Sequence, residues 1–123
     1  MKEIKFRERI SRAGNLILAG KDSKSNEKLV KQIQKDEEVF HTEARGSPFV
    51  NIKGKPDKGD IKEAAIFCAI YSQDWKKNFN DVIVHRFKGK DIFKEKNMKE
   101  GTFGVKKIKK IKVKKSDIEG FIL

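Results

Sequence analysis

Ile61, Ala64, Ala65, Cys68, Tyr71 and Trp75 recur at steps of three, one, three, three and four, the apolar stripe of one long helix. Most other apolar segments are short and bounded by glycine or charge. Such a mixture restricts the chain to folds in which helices pack on a sheet. Gly54, Pro56 and Gly59 mark a surface loop before that helix. Asp60 and Glu63 then open it in a capping-box arrangement.

The remaining elements follow from the same patterns. Ile4, Phe6 and Ile10 alternate with Lys5, Arg7 and Arg9, giving a strand with one basic face. Gly14-Asn15 makes a tight turn, and Leu16 to Ala19 returns antiparallel. Asp22 or Ser23 caps a helix whose apolar face is Leu29, Val30 and Ile33, with Glu27 near its positive end. Val39 to Thr42 and Phe49 to Lys53 form a second hairpin around Arg45-Gly46-Ser47-Pro48. Val82 to Phe87 is a strand, and Lys88 to Glu100 a loop anchored by Ile92 and Phe93. Two further strands follow, and Asp117 to Leu123, ending in Phe121-Ile122-Leu123, docks as a final strand. The expected architecture is a single α+β domain over residues 1–123. Its mostly antiparallel sheet packs against two main helices, and the sequence leaves open whether the sheet curls into a barrel. No internal repeat or low-complexity linker interrupts it.

Charge narrows the function. Thirty Lys and Arg against eighteen Asp and Glu leave a formal net charge of +12 on 123 residues, so polyanions are the natural partners. Lys/Glu enrichment of the thermophile type would leave near balance instead. Hydrophobic residues make up only 37%, yet nine Phe supply bulky core material, so the chain should fold. Seven lysines, Lys106, Lys107, Lys109, Lys110, Lys112, Lys114 and Lys115, crowd one segment without an acidic residue. They read as a phosphate-tracking stripe, or as the lysines of an edge strand that prevent aggregation. One cysteine excludes an internal disulfide, and no apolar run reaches the roughly 18 residues of a membrane span. A soluble cytoplasmic protein with no membrane partner is the expectation.

Two short polar signatures carry more specific information. Gly20-Lys21-Asp22-Ser23-Lys24-Ser25-Asn26-Glu27 is followed by Phe40-His41-Thr42-Glu43-Ala44-Arg45-Gly46-Ser47. With the later Gly101-Thr102-Phe103-Gly104-Val105, their order and spacing resemble the NFACT-R domain, an RNA-associated module of ribosome quality control that also occurs alone. The resemblance covers most of the chain. It implies RNA as partner, tRNA or ribosomal RNA, with the large ribosomal subunit as a candidate assembly and RNA processing as another setting. It also makes His41 a signature position shaping the binding face. Lys21 stands where arginine is common in that family, keeping charge but losing bidentate geometry. The N-terminal domain, helix-hairpin-helix and coiled coil of the large members have no counterpart here, so peptide tailing is not implied.

RNA needs cations for phosphates, planar groups for stacking, and exposed amides for close approach. The residues offered are Lys21, Lys24, His41, Arg45, Gly46, Ser47, Lys53, Lys106, Lys107, Lys109 and Lys110. Asp22, Asn26 and Glu27 read first as structural residues of a helix start. His41 and Glu43, alternating onto one strand face, raise proton chemistry in an RNA-modifying enzyme or subunit as an alternative, although a histidine beside a carboxylate commonly just orders a turn. A DNA-binding or protein-interaction adaptor is a further alternative. His41, His85 and Cys68 lack metal-ligand spacing, Cys68 lies on the apolar helix stripe, and the glycines match no nucleotide-binding fingerprint. Neither a catalytic constellation, a metal nor a cofactor is indicated.

Overall fold

A computed structural model describes residues 5–122; Ile4 of the expected first strand and Leu123 lie outside the described residues. The strands are β1 (Arg7–Ile10), β2 (Leu16–Ala19), β3 (Glu38–Thr42), β4 (Val50–Ile52), β5 (Val82–Lys88), β6 (Ile92–Phe93), β7 (Gly104–Val105) and β8 (Lys109–Val113). The helices are α1 (Ser23–Lys31), α2 (Lys58–Ile70), α3 (Gln73–Asn78) and α4 (Lys115–Ile122). Six strands form an antiparallel sheet in the order β1-β2-β4-β3-β5-β8, while β6 and β7 make a separate ribbon. The sheet is open, with β1 and β8 as its edges. The domain is α+β, as its patterning implies.

Strand alternation separates two cores. Ile17, Ala19, Phe40, Val50, Ile52, Val82, Val84 and Val113 point to one face and meet α2, Trp75 of α3 and Ile118 of α4. Leu18, Val39 and Phe87 point to the other, where Leu29 of α1, Phe49, Phe103 and Val105 of β7 cover them. Phe40 is fully buried in a central strand. Phe40→Ala is expected to cost about 3–5 kcal/mol, read from the denaturation midpoint; a loss under about 1 kcal/mol would contradict this packing.

Local chemistry corrects three readings. The capping box lies at Asp57 and Asp60: Asp57 accepts from the Asp60 N–H at 2.8 Å, and Asp60 from the Asp57 N–H at 3.2 Å. Glu63 instead faces Arg9 at 3.3 Å. The single long helix is two, because Ser72 ends one and caps the next. Its hydroxyl donates to the Ala69 carbonyl at 2.7 Å and accepts from the Trp75 N–H at 3.2 Å, a local pairing that outcompetes helix continuation. The final segment is helix α4 rather than a strand. Ile118 and Phe121, three residues apart, both reach the α2 core, which an alternating strand could not arrange.

Candidate nucleic-acid interface

On the α1 side of the sheet a cleft of about 600 Å³ opens where the ends of several elements meet. Its walls come from Gly20 to Ser23, the turn from Thr42 to Pro48, the start of α3 and residues 100–103. Segments far apart in sequence thus converge on one concavity.

The first wall is set by the start of α1. Asp22 accepts from the Ser25 N–H at 2.8 Å, and the Ser25 hydroxyl accepts from the N–H groups of Lys21 at 2.7 Å and Asp22 at 3.0 Å. The Ser25 N–H, and then the Ser25 hydroxyl, keep the Asp22 carboxyl below its ordinary pKa. Asn26 turns inward, where its carboxamide oxygen accepts from the Phe49 N–H at 3.0 Å. A side chain at position 20 would overlap that carboxamide, so the close approach of helix to strand requires Gly20.

The second wall is the 43–48 turn. Ser47 Oγ accepts from the Thr42 N–H at 3.1 Å and lies 2.8 Å from the Pro48 carbonyl, and Thr42 Oγ1 donates to the Ala44 carbonyl at 2.7 Å. Gly46 holds φ at +86°, and its carbonyl accepts from the Gln73 N–H at 2.7 Å, docking the turn on α3. The N–H groups of Ala44, Arg45, Gly46 and Ser47 have no hydrogen-bond partner among the described residues. They remain available to an anion. Cys68, 3.4 Å from Ser47 Oγ, has its thiol pushed up to about 12 by burial and stays protonated.

The third wall hangs on Glu27. Its carboxylate accepts from the Gly101 N–H at 2.8 Å and from Lys94 Nζ at 2.8 Å. Lys94 also donates to the carbonyls of Lys99 at 2.6 Å and Thr102 at 2.8 Å, while its ammonium lies 4.5 Å from the Phe103 ring centre. The Lys94 and Gly101 bonds lower the Glu27 pKa. Gly101 has φ of +80° against the Ser23 backbone.

Aromatic and histidine side chains line the interior. His41 tilts over Phe49 at 4.6 Å, and Phe49 meets Phe103 edge-on at 5.4 Å. His41 Nδ1 lies 2.8 Å from the Thr42 carbonyl, so in the neutral ring Nδ1–H donates and Nε2 is the free acceptor. Burial, then the charge of His85, depresses the His41 pKa below 6.5. The unfolded chain therefore takes up this proton more readily than the folded one. The stability contributed by neutral His41 is fully present above pH about 6.5 and is lost as pH falls through the lower folded value. An NMR titration should place the His41 midpoint below 6.5; a midpoint above it would contradict the burial.

The alternative pairing of His41 with Glu43 is not seen among the described residues. Glu43 accepts from Lys110 Nζ at 2.7 Å and lies 3.2 Å from His85 Nε2, and these contacts hold its carboxyl below the usual range. His85 stands opposite His41 in the β3-β5 register. Of the expected contact residues, Lys21, His41, Arg45, Gly46 and Ser47 line the cleft, and Lys24 is exposed on α1 nearby. Lys53 sits at the far end of β4, 2.9 Å from Glu37, outside the cleft. The lysine run is not one stripe. Alternation turns Lys110 to the cleft face and Lys109 to the other, Lys106 lies 5.9 Å from the Phe93 ring centre, and Lys107 lines a separate recess. Arg7, Tyr71, Lys76, His85 and Phe103 also line the cleft. Only tertiary pairing brings them there: Arg7 donates to the Gly20 carbonyl at 2.8 Å and stacks 4.1 Å from the Tyr71 ring centre.

The family model described as the NFACT protein RNA binding domain matches residues 5–107. The chain belongs to the NFACT-R family. Over 101 residues this NFACT-R domain is 34% identical to the archaeal Rqc2 homolog aRqcH of Methanocaldococcus jannaschii, an alignment covering 76% of this chain and 15% of that protein. The C-terminal part of the fibronectin/fibrinogen-binding protein from Streptococcus suis has the same fold. The TM-score is 0.84 at 24% identity, covering 98% of this chain and 50% of that one. The NFACT-R domain thus spans a small part of the archaeal relative and half of the streptococcal chain. Membership places it among RNA-binding domains. Among the described residues no helix is long and apolar enough to cross a membrane.

Proposed function

We propose that this NFACT-R domain is a cytoplasmic binding module that holds tRNA or ribosomal RNA in the cleft, in ribosome-associated quality control or RNA processing. The carrying observation is the convergence of the two polar signatures and the Gly101–Phe103 segment on one concavity. Lys21 and Arg45 stand exposed beside the unpartnered amides of the 43–48 turn, a combination suited to phosphate oxygens. The partly exposed rings of His41 and Phe103 supply surfaces for bases. With Glu43 engaged by Lys110 and His85, the geometry favours holding RNA over proton transfer from His41.

The test is binding of the full chain to total tRNA, ribosomal subunits and length-matched duplex DNA across a salt series. RNA should bind more tightly than DNA at each salt concentration, with affinity falling steeply as salt rises. Equal, weak binding to every polyanion would show that the charge is generic.

A further inference from the structure

The cleft adjoins a second recess of about 370 Å³, and Phe87 and Ile108 line both. In that recess Glu38 is engaged by Arg86, at 2.8 and 3.0 Å, and by Lys88 at 2.9 Å. Lys90, Lys107 and Lys109 also line it and have no carboxylate partner among the described residues, with Asp91 as the other acid present. Between an aromatic cleft and a lysine-lined recess stands Ile108, 42% exposed, which lines both.

We propose that the RNA taken here is unpaired: a base enters the cleft, and its strand runs over Ile108 so that a neighbouring phosphate reaches Lys107 and Lys109. This rests on the RNA-binding reading and narrows its substrate. An A-form duplex keeps its bases stacked inside and presents backbone on a convex surface, so it reaches the rim of such a cleft but not its rings. An unpaired base has a free face for His41 and Phe103 and a free edge for the His41 Nε2 acceptor. Apolar contact at Ile108 followed by cations suits the alternation of base and phosphate along a single strand. Of the acids along the path, Glu38 and Glu43 are already held by cations, whereas Asp91 in the recess and Asp22 and Glu100 at the cleft have no cation partner among the described residues, leaving the lysines in excess.

The experiment compares a labelled single-stranded RNA with the same strand annealed to its complement, by fluorescence anisotropy at fixed salt. The protein is the full chain, as wild type, Ile108→Glu, and Lys107→Glu with Lys109→Glu. All three positions are exposed, and thermal melts confirm folding. The single strand should bind at least about tenfold more tightly than the duplex, and each variant should weaken it about tenfold, the scale of one stacking or phosphate contact. A duplex bound equally well or better overturns the proposal and leaves RNA binding standing. Wild-type affinity in both variants overturns the path over Ile108. Failure to bind any RNA overturns the RNA-binding reading itself.

Discussion

Reversing Lys21 and Arg45 together, Lys21→Glu with Arg45→Glu, is expected to weaken RNA binding by about 100-fold at physiological salt, roughly tenfold for each lost phosphate contact. Both side chains are exposed at the cleft, and neither has an acidic partner among the described residues. Reversal therefore breaks no ion pair, and the melting temperature should stay near that of the wild type. The salt dependence supplies a second readout. Loss of two contacts to a single strand makes log affinity against log salt shallower by about 1.4. Unchanged affinity and slope would place the phosphates elsewhere, with the lysines of β8 as the next candidates.

Glu27→Ala should have the largest effect on a residue that is not itself exposed to ligand. The carboxylate is 18% exposed and gathers Gly101 and Lys94, which in turn holds the carbonyls of Lys99 and Thr102. Its removal is expected to cost about 2–3 kcal/mol, because hydrogen bonds to a charged group are the strong ones and Lys94 loses its counter-charge. The damage should be local. Amides around Gly101 to Val105 should exchange faster, and RNA affinity should fall as Phe103 leaves Phe49. Acid should mimic the mutation: the folded pKa of Glu27 is lowered from 4.5, so its contribution is present above that value and lost as pH falls through the folded one. Wild-type exchange rates in Glu27→Ala would show that the loop is fastened by something else.

Element types were legible where one local signal had no competitor. The strands at Leu16–Ala19 and from Val82 to Phe87 were readable because β-branched and aliphatic residues lay between turns, and a cap at Asp22 or Ser23 because polar residues preceded a helical face; the structure selects Asp22. The break at Ser72 was hidden by an apolar spacing that continues unbroken through Tyr71 to Trp75, while the decisive bonds are those of one hydroxyl. Ile118, Phe121 and Ile122 fit either a strand end or a short helix, and only packing against α2 selects the helix. In the site, Lys21, His41, Arg45, Gly46 and Ser47 were legible because each lies inside a compact polar motif. His85 was not, since its place beside His41 depends on the β3-β5 register, and Arg7 depends on the sheet bringing β1 beside Gly20. That the lysine run divides between two faces was not legible from its density, because a strand sends successive side chains to opposite faces.

The most direct test of the account is photo-crosslinking of a bound RNA carrying 4-thiouridine, with the attachment sites mapped by mass spectrometry. Crosslinks should concentrate in His41 to Phe49 and Gly101 to Phe103, the segments that meet at the cleft. Crosslinks confined to α2, α4 or the outward lysines, with none in those segments, would contradict it.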